Sequence, residues 1–529
     1  MGAAPGDYTG NRIRFLTNIS ICVSSFRTHI TDLVRPAPWA AILIVAFLVA
    51  NIAGLLLVGV HPDEAYYWVW SQRLAWGYFD HPPGVAFLIR LFTSLLGNHP
   101  WALRLPAVTA WLVCGGVIYR MGRSIFPDAR AAGLLSVLVF ASLPIMQVGF
   151  HLVTPDAPQL LFTALAYQLV YRAVRLQRVD LWMYGGLAAG AALFSKYTGV
   201  LVPFAIFVAL LLSTSGRREL RRPWPWIAGV LALLVFVPVI WWNYQHEWIS
   251  FRFQLHHGIE NKESSWLYNL AAYVVSQMGV AAPWTWIAMV VAGIQSRRWT
   301  RDEFGRALLL SGFAVPLLFF AVAGLTFAGG ANWPVMAYVP GSVLLGGALA
   351  HWLYASSGAV RRTPVALVVL ACVVALVLVN LLRYPLGAMH AGITFLPDNT
   401  QITHTYGWPK LGAAVREVYG KQRQQHDCRI LVDLHTLAAE ISLQLGDPRD
   451  VVVRPGKTTT QYTVWNDEGD YKNGSPYCVY IKYTYAPYSP TQFPASLTLP
   501  GSGQWRRVRE VELIAPERPR WYGIYVPAP

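Results

Sequence analysis

Long apolar runs alternate along this chain with short, arginine-rich polar breaks, and the alternation predicts a bundle of membrane helices. Runs of membrane length, or slightly less, fall at about 38–60, 101–121, 130–150, 156–175, 182–194, 198–213, 224–244, 267–294, 305–327, 334–354 and 364–382. A helix needs roughly 20 apolar residues to cross a bilayer, so these runs read as eleven crossings, with 182–194 and 198–213 short enough to be a broken pair. A shorter apolar run, 84–96, reads as a juxtamembrane helix.

From about residue 383 the pattern changes. Apolar runs shorten, and Pro, Tyr, Thr and Arg rise. Arg429–Leu434 reads as a strand and His435–Leu445 as a helix closed by Gly446. Val451–Val453, Tyr477–Tyr483 and Trp505–Ile514 read as further strands, several of them alternating. The expected fold is therefore mainly α, a polytopic membrane protein of about 11 to 13 transmembrane helices with a small C-terminal α/β domain. The division is a cytoplasmic segment 1–37, a transmembrane domain 38–382 with a first outer loop 61–100, and an outer domain 383–529.

Composition agrees with that class. Hydrophobic residues make up 55% and charged residues 13% of the 529, well off the balance of a soluble domain. The net charge of +15 would suit a nucleic-acid partner if it were gathered on one surface. It is instead spread over the breaks: Arg120, Arg123 and Arg130; Arg172, Arg175 and Arg178; Arg217, Arg218, Arg221 and Arg222; Arg297, Arg298, Arg301 and Arg306; Arg361 and Arg362. All of these breaks fall on one side of the membrane in the span assignment above, as the positive-inside rule requires. The charge needs no nucleic acid. It also places the N-terminal segment inside and, after an odd number of crossings, the C-terminal domain outside. That N-terminal segment, with Arg12, Arg14, Arg27 and Arg35, is too polar and too long for a simple signal peptide.

The opposite breaks carry the residues capable of chemistry. They hold Asp63, Glu64, Asp80 and His81; His151 and Asp156; His246, Glu247, Arg252, His256, His257 and Glu260; and Gly329–Trp333. Two adjacent carboxylates, an Asp-His pair and several aromatics directly after the first span are costly to hold near hydrocarbon. Each residue also has a plainer reading. Asp63 follows Pro62 and suits a helix cap; Asp80 could fix the turn at Pro82-Pro83; Asp156 could sit at a helix N-terminus. Lys196 lies between two short apolar runs and must either reach water by snorkelling or meet an anion. Arg104 either binds an anion or anchors the interface. His256 and His257 are adjacent, and spacing fixes no third metal ligand beside them. Cys428 and Cys478 share the outer domain, where a disulfide is open to them.

Pro62-Asp-Glu-Ala-Tyr-Tyr-Trp68, Gly77-Tyr-Phe-Asp-His-Pro-Pro83 and Arg104-Leu-Pro106 together resemble the first outer loop of GT-C glycosyltransferases. The resemblance is closest to the branch of the protein O-mannosyltransferases and the lipid A aminoarabinose transferase. Thr154-Pro-Asp156, Phe194-Ser-Lys-Tyr197, Trp248–Leu255, Asn332-Trp-Pro334 and Gln461-Tyr-Thr-Val-Trp465 extend it in order along most of the chain. The resemblance implies a sugar donor carried on a polyprenyl phosphate and used on the periplasmic side of a bacterial inner membrane. The acceptor would be an envelope component: lipid A or lipopolysaccharide, a glycolipid, a polysaccharide or a protein. It implies an inverting displacement with Asp63 as the base, Asp80 and Asp156 as further catalytic acids, and Lys196 as a clamp on the leaving phosphate. Glu64, Tyr66, His81, Arg104, His256 and His257 would contact substrate or shape the loop. Some members bind a divalent metal, for which Asp80 and His256 are the candidate ligands. Two rival classes fit part of the pattern: a transporter or flippase of a lipid-linked sugar with no chemistry of its own, and an assembly partner whose outer domain binds an envelope polymer.

Overall fold

The structure, a computed structural model, describes residues 36–257, 265–325, 329–354, 362–383, 405–456, 459–469, 477–484, 493–499, 503–513 and 520–528. The N-terminal segment up to residue 35 lies outside them. The first half contains α1 (Pro38–Leu57), α2 (Pro62–Gln72), α3 (Gly84–Leu96), α4 (Pro100–Ile125), α5 (Ala132–Ser142), α6 (Pro144–Gly149), α7 (Asp156–Leu176), α8 (Val179–Ser195) and α9 (Leu201–Leu212). Then come α10 (Thr214–Glu219), α11 (Trp224–Gln245), α12 (Ile249–His257), α13 (Trp266–Ala281), α14 (Pro283–Ile294), α15 (Glu303–Ala323), α16 (Tyr338–Tyr354) and α17 (Arg362–Arg383).

Among the described residues, six helical segments are long and apolar enough to cross a membrane, and α13 with α14 make a seventh if that bent pair is one span. The eleven apolar runs of the sequence are thus not eleven straight spans. Three of them break for identifiable reasons. Pro144 divides 130–150 into α5 and α6, because proline supplies no N–H to continue the ladder. At Ala282, φ is +65° and Pro283 follows, so α13 and α14 meet at 102°. Lys196 is extended between α8 and a 3-10 turn, Tyr197–Val200, that leads into α9.

Small residues set the closest helix approaches. A Cβ on Gly190 of α8 would stand 2.7 Å from the Ala232 carbonyl oxygen of α11, so those two backbones touch, as is usual where lipid offers no hydrophobic drive to associate. Gly84 plays the same part at the outer end. A Cβ there would lie 2.8 Å from the Ser195 Cα, which brings the start of α3 against the end of α8 and sets the 73–83 loop beside Lys196.

The C-terminal domain adds α18 (Trp408–Arg423), β1 (Arg429–Val432), α19 (His435–Leu445), β2 (Val451–Val453), α20 (Gln461–Asp467), β3 (Tyr477–Thr484), β4 (Ser496–Leu499), β5 (Gly503–Leu513) and β6 (Arg520–Pro527). The sheet order is β2-β1-β3-β6-β5-β4. β1 pairs in parallel with β2 and β3, and the remaining neighbours are antiparallel. Gly446 ends α19 with φ +87°, the left-handed position glycine takes without strain. Cys428 and Cys478 form a disulfide across 50 residues. Sequence reading passed over α18, β4 and β6. α18 is polar on its outer face, and the short edge strand β4 carries little alternation.

Apolar packing divides differently from the chain. Ala65, Trp68 and Trp70 of α2 and Ile89 of α3 belong to one buried cluster with Leu411, Val415, Ile430, Leu437 and Ile441 of the C-terminal domain. The first loop is therefore part of that domain's core, and α19 packs directly on α2.

Candidate active site

Two neighbouring carboxylates on α2 meet opposite fates. His61 is the N-cap: its Nδ1 accepts from the Asp63 N–H, while the Glu64 side chain accepts from the His61 N–H. The cap is His61 and not Asp63, because Asp63 already stands in the first turn, where its N–H needs the partner. Asp63 is left 53% exposed at the rim, 3.6 Å from His61 Nδ1. Glu64 is fully buried and paired with Arg104, Oε2 to Nη2 at 2.7 Å and Oε1 to Nε at 3.0 Å. Glu64 Oε1 also accepts from the Val153 N–H, and Arg104 Nη1 donates to the Val58 carbonyl at 2.7 Å. The pair ties the end of α1, the start of α2, α4 and the approach to α7 into one knot. Arg104 is in neither of its expected places, at the interface or on a bound anion.

Asp80 receives the Tyr66 hydroxyl at 2.9 Å, and Tyr66 in turn accepts from the Gln461 N–H at 2.8 Å. Gln461 Oε1 accepts from the Phe79 N–H, and Gln254 donates to the Asp80 carbonyl at 2.7 Å. Asp80 is thus held by α2, by α12 and by α20 of the C-terminal domain. Burial pushes its carboxyl up to about 7, helped by the nearby Asp63 charge and opposed by the Tyr66 hydrogen bond. Burial drives the His81 imidazole down to about 3, with the Lys196 cation acting in the same sense. His81 is a neutral ring, and its Nδ1 is a buried atom without a hydrogen-bond partner among the described residues.

Lys196 neither snorkels nor stands alone. Its Nζ lies 2.6 Å from Asp156 Oδ1, and both side chains are mostly buried. Asp156, the first residue of α7, also accepts from Asn332 Nδ2 at 2.8 Å. The turn after Lys196 is pinned where Gln159 donates to the Thr198 hydroxyl.

Asp80, His81 and Lys196 form the polar end of a cavity of about 510 Å³. Its other walls are apolar: Val200 and Leu201 from the start of α9, Phe253 and Leu255 from α12, Phe319 and Phe320 near the end of α15, and Trp333. The sequence singled out the polar end but not Phe319 and Phe320, since aromatics inside an apolar run carry no local signal. Gln254 lay in a motif without a role of its own. Asp63 is not among the lining residues; it stands beyond Asp80. Arg104 and Glu64 are sealed away from the cavity. His256 and His257 close α12, and their side chains lie outside the described residues. Among the described residues, no three of His, Cys, Asp and Glu gather as a metal site.

Fold and site together define a polytopic membrane protein with a charged, amphipathic cavity between its helices and a small C-terminal α/β domain. Comparison with known proteins agrees. Residues 80–242 match the Dolichyl-phosphate-mannose-protein mannosyltransferase family. The chain is 28% identical over 295 residues to the lipid A galacturonosyltransferase RgtD of Rhizobium johnstonii, covering 53% of this chain and 59% of that protein. It is 24% identical over 286 residues to the undecaprenyl phosphate-alpha-4-amino-4-deoxy-L-arabinose arabinosyl transferase of Erwinia tasmaniensis, covering 50% and 51%. These alignments span a little over half the length of the curated relatives. The crystal structure of ArnT from Cupriavidus metallidurans bound to undecaprenyl phosphate shares the fold with a TM-score of 0.56 at 17% identity, over 92% of this chain and 98% of that one. These similarities place the fold of the chain with that of the GT-C membrane glycosyltransferases.

Proposed function

We propose that the protein transfers a monosaccharide from a polyprenyl-phosphate donor to an acceptor hydroxyl of an envelope glycolipid or glycan, on the periplasmic side of a bacterial inner membrane. The observation that carries this reading is the amphipathic cavity: a lysine, a neutral histidine and a carboxyl with raised proton affinity at one end, aromatic and aliphatic walls at the other. That is the shape of a site for an amphiphile with an anionic head and an apolar chain. The undecaprenyl phosphate donor of the similar arabinosyl transferase and the lipid A acceptor of RgtD support such a reading.

In the proposed mechanism Lys196, oriented by Asp156, neutralises the phosphate as the glycosidic bond breaks. Electrostatic stabilisation of a developing anion in a water-poor site is commonly the largest catalytic contribution. Asp80, its proton affinity raised by burial to about 7, donates in its protonated form to a phosphate oxygen where a carboxylate would repel it. Asp63, exposed at the rim, accepts the proton of the incoming hydroxyl as the acceptor attacks the anomeric carbon from the opposite face, which inverts the centre.

The test uses purified protein in detergent with labelled polyprenyl-phosphate sugars and an envelope-lipid acceptor fraction, wild type beside Asp63→Asn. Transfer by the wild type and its loss in the variant are expected. A wild type that binds the lipids yet transfers nothing from any donor would replace this reading with lipid transport.

A further inference from the structure

A second charged cavity lies at the opposite end of the bundle. α15 begins at Glu303 beside it and carries Phe320, at the site described above, about 25 Å away at 1.5 Å per residue. This cavity measures about 720 Å³ and is bounded by the C-terminal ends of α4, α7 and α16 and the segment 297–302. Arg175, Arg297, Arg298 and Arg301 line it, and none of the four is in an ion pair among the described residues. Two carboxylates face the same space. Asp302 is already engaged, accepting from the Tyr171 hydroxyl at 2.7 Å and from the Gly305 N–H at 2.9 Å, which leaves Asp128 against four guanidinium groups.

The floor is aromatic. The rings of Phe126 and Trp299 lie 6.2 Å and 6.0 Å from that of His351. Trp299 Nε1 is a buried donor without a partner among the described residues, and an unmatched buried donor costs about 1–3 kcal/mol of desolvation. Four guanidinium groups against two carboxylates leave an excess of positive charge, and with an unused N–H around one concave, aromatic-floored space they call for an anion with several acceptor oxygens.

We propose that this cavity binds the phosphate headgroup of an anionic phospholipid. Its position selects the lipid over a soluble phosphate: it sits where α4 and α16 end and α15 begins, three helices long and apolar enough to cross a membrane, and basic pockets between such helices are suited to phospholipid headgroups. On the sidedness given by the arginine distribution this is the cytoplasmic leaflet. The arginines there then do more than orient the chain. They hold a lipid at the junction of α4, α7, α15 and α16, the helices that carry the catalytic end, and so brace the bundle. The inference does not depend on the reaction proposed above.

The experiment is native mass spectrometry and thermal melting of the full chain in a neutral detergent, titrated with dioleoylphosphatidylglycerol, dioleoylphosphatidylcholine or inorganic phosphate. The wild type should retain phosphatidylglycerol and melt later with it, and do neither with phosphatidylcholine. Arg297→Gln with Arg301→Gln should weaken retention by about 30-fold, two cationic contacts at a membrane surface being removed. Arg217→Gln with Arg218→Gln, exposed arginines outside the cavity, should leave it unchanged. Equal loss in both double variants, or no loss in the first, overturns the proposal. An equal melting shift from inorganic phosphate alone overturns the assignment to a lipid.

Discussion

Glu64–Arg104 and Asp156–Lys196 are both buried ion pairs at the same end of the bundle, 2.7 Å and 2.6 Å across, yet they are built for different purposes. The first is closed. Every Glu64 oxygen and every Arg104 nitrogen is matched by its partner or by a backbone group from four segments. The second is open: Lys196 has one carboxylate partner, and its remaining donor capacity faces a cavity. Closing a pair around backbone groups makes a fastener, whereas leaving donors unspent in a water-poor space makes a binding site. Sequence alone does not separate the two cases, since each cation sits near a helix end and pairs with an acid 40 residues earlier.

The sharpest way to break the comparison is to remove a cation from each pair. Arg104→Ala should leave Glu64 buried and uncompensated, destabilising the protein by about 3–5 kcal/mol, read as loss of monodisperse protein or a large fall in Tm. Lys196→Ala leaves Asp156 with the Asn332 amide and an opening to the cavity. Its Tm should move far less, while the rate of sugar transfer falls by about 10²–10³-fold, the scale for losing one preorganised group that stabilises a developing anion. Equal effects on Tm would show that the two pairs do the same structural work.

Glu440 sharpens the comparison from the other side, as a buried carboxyl with no fastener. It lies on α19, the helix packed on α2, and neither carboxyl oxygen has a hydrogen-bond partner among the described residues. Burial raises its proton affinity well above the usual carboxylate range, with the Glu64 charge adding and Arg520 and Arg104 opposing. A folded pKa above the unfolded one means the native state binds the proton more tightly. This group's stabilising contribution is therefore fully present below the ordinary carboxylate pKa and is lost as pH rises through the raised value. Glu440→Met should stabilise the protein at pH 8 by an amount on the order of 1–3 kcal/mol, read as a higher Tm, and leave Tm nearly unchanged at pH 4. A lower Tm at pH 8 would mean that the carboxylate is matched after all.

What sequence reading could and could not see follows from the same physics. Apolar runs are long-range patterns, so the membrane class, the arginine asymmetry and the change at about residue 383 were legible. The breaks at Pro144 and Pro283 carried a visible residue, but their effect on span number did not, since proline bends some membrane helices and ends others. The acids of the first loop stood out because charge beside an apolar run is rare. Which of Asp63 and Glu64 would be buried depended on Arg104, 40 residues away, and on the fold that delivers it. The involvement of Gln461 in holding Asp80 spans 395 residues through Tyr66; the motif around it was visible by resemblance, its contact was not.

Tyr66 gives the smallest expected effect and the most discriminating one. Among the described residues its hydroxyl is the one side-chain donor to Asp80, and that bond holds the Asp80 carboxyl lower than burial alone would. Tyr66→Phe removes the bond and keeps the ring that stacks on Tyr462, so Asp80 should titrate above about 7 in the variant. If Asp80 acts protonated toward the donor phosphate, wild-type donor binding weakens as pH rises through about 7, and the weakening moves to higher pH in Tyr66→Phe. If Asp80 were instead the base, kcat would rise with pH over that range and the rise would move up. The two schemes predict opposite slopes in the same window, with a change of about tenfold per pH unit at most for a single titrating group. Donor affinity and kcat measured from pH 5.5 to 9 in both proteins separate them, and the slopes in the wild type decide whether the unspent capacity of this site includes a proton.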